Sequence, residues 1–418
     1  MNRGGRRLHH GYIIVLTGIL IYIGSNGFGR YSYTLILPAM RDALGLNHTE
    51  LGLIAGGNSL AYMIFAPLCG YLCLRWGTRR VVGVSMLLVG VSMLLVGMVG
   101  VFWLILPLRF LAGAGNAGSQ TPALSLTSAW FNPSRRGLAT GIMYSGLGIG
   151  LMISGFVTPR LLALQPESGW RLCWEFLGAA VVVLGVISFV LLRDNPAAMG
   201  LEPLGPKSAS PQSDLTAAAG AGIKSAAAVY RSPFLWRLGL SYFLFGFANL
   251  MFFTFLTAAL IGEKGFSPES AGQLLALDGL LSLVGALLWG ALSDRIRRNW
   301  ALAAALALAA VSYVLFAFGQ SLPILIVAEI IKCLSVGGTA TLVLSLAAEH
   351  TGPLTAAAGM GLVTTFLGLG QTFGPPSGGF IIDQTGAYWP MLLAAAALTA
   401  LAAVNLPLKI FTGSRRSG

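Results

Sequence analysis

Charge is what this chain has least of. Only 10% of its 418 residues are Asp, Glu, Lys or Arg, against about 25% in soluble globular domains, which excludes a soluble enzyme. Histidine and cysteine are also scarce. His9, His10, His48 and His350 fall at the N-terminus or in loops, and Cys69, Cys73, Cys173 and Cys333 lie in or beside apolar stretches. Neither set has metal-ligand or disulfide-framework spacing, so no zinc site, other metal centre or His-based catalytic centre is expected. No G-x4-G-K-[ST] phosphate loop occurs, which disfavours a nucleotide-driven pump. No cofactor is expected.

Apolar residues are abundant: 56% of the chain, with 55 glycines and a mean hydropathy of +0.78. A bilayer span needs about 20 apolar residues. Runs broken by Gly, Pro and charge predict twelve helices near 12–37, 50–71, 79–99, 102–130, 137–163, 172–193, 233–260, 270–291, 300–318, 322–348, 356–382 and 388–410. The first run is too long for a signal-peptide core and lacks a small-residue cleavage site. Trp103, Trp130, Trp170, Trp174, Trp289 and Trp300 fall near span ends, as an interfacial aromatic belt requires.

Twelve spans put both termini on one side. That side collects 19 of the 26 basic residues, from Arg3, Arg6 and Arg7 through Arg75, Arg79, Arg80, Arg135, Arg136 and Arg193 to Arg415 and Arg416. Only Arg41, Arg160, Arg171 and Lys264 fall opposite. By the positive-inside rule the termini are cytoplasmic. The net charge of +12 therefore reports orientation and calls for no nucleic-acid partner. A Pro-, Ser-, Ala- and Gly-rich stretch over 194–231 reads as a flexible cytoplasmic linker. It separates an N-terminal six-helix bundle, 1–193, from a C-terminal one, 232–418.

Shifting the sequence by 220 residues brings the halves into register without a gap. Gly45 falls on Gly265, Gly52 on Gly272, Gly70 on Gly290, Arg75 on Arg295, Pro133 on Pro353, Gly141 on Gly361 and Gly148 on Gly368. Parallel six-helix repeats imply two bundles related by an axis along the membrane normal, with a site where they meet.

Between spans two and three stands Gly70-Tyr-Leu-Cys-Leu74-Arg75-Trp-Gly77-Thr-Arg79-Arg80, and its repeat reads Gly290-Ala-Leu-Ser-Asp294-Arg295-Ile-Arg297-Arg298. Both resemble the signature loop of the major facilitator superfamily, G-x3-D-R/K-x-G-x-R/K-R/K. Each departs once: Leu74 replaces the acid and Arg297 the glycine. Arg109-x3-Gly113-x-Gly115 is similar to the family's second motif, and the run from Trp130, "WFNPSRRGLATG", to its loop before span five. The segments "HHGYIIV", "RDNPAAMGLEP" and "RSPFLW" look like the bacterial monocarboxylate and oxalate–formate branch. The resemblance implies an all-α integral membrane protein, twelve helices in two pseudo-symmetric bundles, in the cell (inner) membrane. It further implies a conformational latch at Gly70, Arg75, Gly77, Arg79, Arg80, Gly290, Asp294, Arg295 and Arg298, with Leu74 weakening the first copy. The expected partners are a small-molecule substrate, a proton or counter-ion, and membrane lipid, and a monomer is expected.

A charged side chain within a span is a functional hypothesis by default. The candidates are Arg30, Arg109, Asp278, Glu329 and Lys332. Glu175 sits at an outer helix end, where interfacial solvation explains it. Arg30 lies near Asn26, Tyr31 and Tyr33, and its planar fork suits a carboxylate. The plainer alternative is an Arg30 that snorkels outward or pairs permanently with an acid. Asp278 falls on Asn58 under the repeat shift, a polar pair fit for a site or gate. Away from cations Asp278 would accept a coupling proton, and beside Arg30 or Lys332 it would be an ion-pair partner, the alternative slightly favoured. Glu329 and Lys332, at i and i+3, share one helix face and neutralise one another, with Arg109 a third member of that network. Lys332 lies deeper and is the better anion contact.

The Gly374-Pro375-x2-Gly378-Gly379 break suits a rocking element in span eleven. In the family a similar segment in span five marks drug–proton antiporters, and span five here lacks it. The anion-carrying relatives' Arg in span eight and Lys in span eleven are also missing: Ser282 and Gln371 stand there. An anion site would therefore be built from Arg30 and Lys332, with Tyr31, Tyr33, Asn58 and Asp278. The expected function is a secondary transporter of a small organic anion. A proton-coupled exporter of amphipathic or cationic compounds, using Asp278 and Glu329, is the alternative.

Overall fold

Lipid offers no hydrogen bonds to a backbone, so a spanning segment must satisfy its own N–H and C=O groups as helix. The computed structural model describes residues 9–165, 167–206, 226–352 and 354–406. Within α10, Ser282, Leu283, Ala286, Leu287, Gly290 and Asp294 lie outside the described residues in all but backbone, as does Pro353 entirely.

The chain is helical almost throughout: α1 (His10–Tyr22), a π-helical segment (Ile23–Tyr31), α2 (Tyr33–Leu44), α3 (His48–Trp76), α4 (Thr78–Met98), α5 (Phe102–Trp130), α6 (Pro133–Leu164) and α7 (Gly169–Leu191). A short α8 (Ala226–Val229) precedes α9 (Pro233–Gly262), α10 (Pro268–Arg295), α11 (Arg298–Phe318), α12 (Leu322–Thr351), α13 (Ala356–Thr385) and α14 (Trp389–Val404). Counting α1, the π segment and α2 as one rod, these match the twelve expected spans. Eight of the described rods are long and apolar enough to cross a membrane on length and composition alone. Of the others, α5, α10 and α13 carry polar and glycine-rich turns, and α14 is short.

The repeat is visible in the element ends. Adding 220 to Thr78–Met98 gives 298–318, and α11 is Arg298–Phe318; adding it to Phe102–Trp130 gives 322–350, and α12 is Leu322–Thr351. Gly45 closes α2 at φ 64° and its equivalent Gly265 follows α9 at φ 71°, both in the left-handed region that favours glycine. Two residues later an Asn47–Glu50 capping box starts α3: Asn47 Oδ1 accepts the Glu50 N–H at 2.8 Å and Glu50 Oε2 accepts the Asn47 N–H at 2.9 Å. The signature loops differ, because Gly77 takes φ 83° whereas its equivalent Arg297 sits at φ −61°. The second copy turns without a left-handed residue, which is why it tolerates arginine.

The described helices group into two compact units, one falling in Met1–Ala209 with Thr254–Leu280, the other in Ser210–Phe253 with Leu281–Gly418. The divisions cut α9 and α10. In the first unit α4 packs on α7 and α5, α3 on α5, and α1 on α6. Its helices approach through glycine. A Cβ at Gly27 would overlap the Gly150 backbone, one at Gly113 the Asn58 carbonyl, one at Gly148 the Gly279 carbonyl, and one at Gly155 the Gly272 carbonyl. Thr34 Oγ1 also donates to the carbonyl of Thr254, its own repeat equivalent, at 3.2 Å. In the second unit α11 packs on α14 and α12, around a core including Phe234, Leu238, Tyr242, Trp289, Leu302 and Leu342. Helix α13 runs unbroken through Pro375 and Pro376, so the expected break is absent. Its Gly370 and Gly374 instead lie against the α9 backbone at Phe243 and Phe247.

The start of the linker is ordered, contrary to its composition. Pro196–Met199 forms a 3-10 turn. Leu204 N–H donates to the Trp130 carbonyl at 2.9 Å, and the Asn132 N–H to the Leu204 carbonyl at 3.1 Å. Asn132 Nδ2 donates to the Gly205 carbonyl at 2.6 Å. Those hydrogen bonds supply the order that a core-poor segment cannot supply for itself.

Gly155→Leu is expected to lower the thermal stability of the purified protein by about 1–3 kcal/mol, the usual cost of overpacking. Gly141→Ala, on the same helix with nothing near its Cβ position, should leave the melting temperature unchanged or slightly raised.

Candidate functional site

The first candidate site is built on a change of helical pitch. Between Ile23 and Tyr31 the backbone winds as a π-helix, and the Ser32 N–H still reaches back five residues to the Gly27 carbonyl at 3.1 Å. Widened turns of this kind occur often at functional sites. Here the wide turn carries Ser25, Asn26, Arg30 and Tyr31. Gln120 of α5 donates to Asn26 Oδ1 at 2.7 Å and to Ser25 Oγ at 3.0 Å.

Arg30 and Tyr31 are half-buried. Arg30 Nη2 donates to Ser59 Oγ at 3.2 Å, and its guanidinium lies 5.4 Å from the ring centres of both Tyr31 and Tyr62. Tyr144 is an electrostatic neighbour of Arg30, Tyr31 and Tyr62. Together these form a half-open cluster of one cation and three phenols.

Tyr33 and Asn58 are placed otherwise. Tyr33 is buried, with its hydroxyl donating to the Leu51 carbonyl at 2.9 Å. Asn58 is buried too, and its Nδ2 donates to the Arg109 carbonyl at 3.0 Å. Both serve Arg109 rather than Arg30. Arg109 itself is 1% exposed. Its Nη1 donates to the Gly29 carbonyl at 2.8 Å, and its guanidinium lies over the rings of Tyr33 at 5.3 Å and Trp174 at 4.9 Å. The expected membership of Arg109 in an ion-pair network with Glu329 is corrected: its partners are a carbonyl and two aromatic faces of its own unit. Asp278 is half-buried on α10, beside the Gly279 that packs on Gly148.

The second unit holds the other charges. Lys332 Nζ donates to Glu329 Oε1 at 2.7 Å, and both side chains are buried. Cys333 Sγ donates to the same oxygen at 3.3 Å. The ammonium lies over the rings of Phe252 at 5.6 Å and Phe253 at 5.8 Å. Lys332, expected to contact an anion, has its charge met by Glu329.

At the signature loop Gly70, Arg75 and Arg80 are exposed. The Arg79 backbone N–H donates to Asp194 Oδ1 at 2.6 Å, and its Nε donates to the Phe189 carbonyl at 2.7 Å. An acid from the end of α7 thus contacts the loop whose own acid is replaced by Leu74. In the repeat loop Arg295 is exposed and Arg298 is paired with Glu349. Gly290 and Asp294 lie outside the described residues.

Sequence reasoning did not single out Ser59, Tyr62, Gln120 or Tyr144. Ser59 and Tyr62 follow Asn58 by one and four positions, so a helical reading of α3 around Asn58 would have brought them to light.

The family model described as "Uncharacterised MFS-type transporter YbfB" matches residues 23–406. The chain belongs to that family: it is a major facilitator superfamily transporter, not an enzyme. It is similar to the "Probable sulfoacetate transporter SauU" of Cupriavidus necator, at 26% identity over 88% of this chain and 87% of that one. It is also similar to the "Putative tartrate transporter" of Agrobacterium vitis, at 24% identity over 87% and 82% of the two chains. Among solved structures, a bacterial homologue of the human lysosomal transporter Spinster superimposes with a TM-score of 0.77 at 18% identity, covering 96% of this chain and 97% of that one. That likeness shows the fold: a multi-pass all-α membrane protein.

Breaking a buried ion pair from one side costs about 3–5 kcal/mol, whereas replacing both partners by apolar groups is often neutral. Lys332→Met is therefore expected to lower thermal stability sharply, and the double variant Glu329→Leu/Lys332→Met to recover most of it in the same melting assay.

Proposed function

We propose that the protein carries a small organic anion, a carboxylate or a sulfonate, by alternating access, and that Arg30 recognises its charge. The observation that carries this is the setting of Arg30: a half-buried guanidinium on a π-helical turn, beside the Ser59 hydroxyl and the rings of Tyr31 and Tyr62. A planar guanidinium fork matches an oxyanion in a way an ammonium does not, and the tyrosines bring phenol groups to the same cluster. The sulfoacetate and tartrate of the relatives' names are small anions of this kind.

The proposal extends to coupling. Of the intramembrane acids, Asp278 is assigned the coupling proton on its place at the repeat equivalent of Asn58, with Glu329 in the charge network of Lys332; a counter-substrate is the other source of drive. The signature loop, with Asp194 against Arg79, is assigned the latch. Lys and Arg distribution supports cytoplasmic termini in a cell membrane, with the chain acting as a monomer in lipid.

Uptake into proteoliposomes tests this with sulfoacetate, tartrate and a lipophilic cation, each with and without a pH gradient. Loss of one charge-assisted contact of about 2–3 kcal/mol corresponds to roughly 30- to 150-fold in affinity. Arg30→Ala is expected to raise the KM for the anions by that order, and Arg30→Lys by less. Saturable cation flux with anion flux untouched by Arg30→Ala would overturn the proposal. Asp278→Asn should abolish the effect of the pH gradient while leaving anion exchange in place.

A further inference from the structure

The turn between α2 and α3 holds two basic side chains against one another. Arg41 Nη1 lies 3.2 Å from His48 Nε2, and both residues are half-buried. A guanidinium has only N–H donors, so in this contact the imidazole nitrogen accepts. Nε2 therefore carries no proton, and the bond exists only while His48 is neutral. The turn gives the two side chains little freedom to part. Gly45 takes φ 64°, the Leu46 N–H donates to the Arg41 carbonyl at 3.2 Å, and the Asn47–Glu50 capping box fixes the start of α3.

The same imidazole covers α9. Its ring centre is 6.2 Å from that of Phe255, which is fully buried. Beside it Thr34 Oγ1 donates to the Thr254 carbonyl at 3.2 Å and lies 3.3 Å from Thr257 Oγ1, and all three threonines are buried. These residues belong to the first unit, so the later part of α9 is closed onto α2, with His48 packed on the same stretch. The charged groups of the surrounding elements do not favour a second cation there. On α2, Asp42 lies 3.6 Å from Arg41, and its carboxylate is exposed and screened by water. On α3, Glu50 stands two positions from His48, a spacing at which helical side chains do not face each other, and a cation in the first turn opposes the helix dipole. After α9, Glu263 and Lys264 are electrostatic neighbours of one another. Phe255 itself would attract an imidazolium only weakly, because 6.2 Å lies past the roughly 6 Å over which cation–π contacts act.

We infer that His48 is a proton-binding site that governs this closure. Neutral, it is held by Arg41 and covers Phe255. Protonated, it meets Arg41 as a like charge, swings away from the ring, and lets α9 part from α2. The sign follows from linkage: the closed arrangement keeps a proton off Nε2 and the open one does not, so the open one gains as the pH falls. Histidine changes charge between about pH 5 and 8, within reach of ordinary acidification. For its sidedness the inference rests on the orientation and alternating access proposed above, which put the α2–α3 turn outside, so that an acid medium opens the protein towards itself. This proton is not the one assigned to Asp278, which is carried within a span.

The test is the distance between spin labels on Ala43→Cys and Gly262→Cys, exposed positions near the ends of α2 and α9, in the full chain in lipid nanodiscs. Half-exposed Cys73 is replaced by serine, and the other three cysteines are buried. A short distance is expected to dominate at about pH 8, and a longer one to grow towards about pH 5, the ratio of the two changing by about 5- to 150-fold. His48→Gln keeps an acceptor for Arg41 at every pH and should hold the short distance throughout. His48→Lys, a permanent cation, should show the long distance already at the alkaline end. Asp278→Asn should keep the wild-type response. An unchanged distance in the wild type across that range would overturn the inference, as would a response that survives in His48→Gln or vanishes in Asp278→Asn. If His48→Lys does not fold, His48→Gln decides alone. Sidedness is read separately, from labelling of Ala43→Cys in whole cells by a membrane-impermeant thiol reagent. Labelling supports the outer placement; protection would refute the orientation and leave the pH response readable.

Discussion

The hydrogen bond from Arg109 to the Gly29 carbonyl is where the backbone, the packing and the charge of the first unit constrain one another. A π-helical turn leaves its carbonyls splayed from the regular helical ladder, and within lipid each one needs a donor. Arg109 is that donor for Gly29, and Asn58 in turn anchors the Arg109 backbone from α3. The neighbouring residue on each element does the complementary job, since Arg30 follows Gly29, Ser59 follows Asn58, and these two are also hydrogen-bonded. One guanidinium stays inside to hold the turn, and the other is thereby presented half-open. Alteration of either pair propagates to the other through a single peptide unit.

Glycine makes this arrangement reachable. Side chains on α3, α5 and α6 could not carry polar groups to the π turn unless the backbones came close, and the approaches at Gly27–Gly150 and Gly113–Asn58 are backbone on backbone. Van der Waals contact between close backbones replaces the hydrophobic drive that lipid does not provide. The abundance of glycine and the scarcity of charge are therefore two sides of one design. Few charges are tolerated, and those present must be reached by neighbours at short range.

The fold was legible in the sequence to a large degree because bilayer physics is coarse. Apolar run length, positive charge bias and the 220-residue repeat all survive small errors in boundaries, and the ends of α11 and α12 agree with their first-half equivalents to within a residue. The site was legible only in its inventory. Arg30 and Arg109 stood out because charge is rare in lipid, but nothing in a linear pattern says which is buried and which is open. Tyr31 and Tyr33, two positions apart, face different sides of the rod, Tyr31 beside Arg30 and Tyr33 beside Arg109. The Glu329–Lys332 pair was legible because residues three apart on a helix share one face, so the contact follows from spacing alone.

The contact between Asp194 and the signature loop has a consequence for how such loops are found. Leu74 removes the acid from its customary place, and a pattern match confined to the loop scores the loop as degraded. Yet a carboxylate is present in space, delivered from the far end of α7, more than a hundred residues away, and Gly77 is kept free of a side chain that would collide with it. Loss at one address and gain at another leaves the local balance of charge unchanged. Chains in which the loop acid is missing are therefore best searched for an Asp or Glu just past the sixth span before the loop is judged inactive.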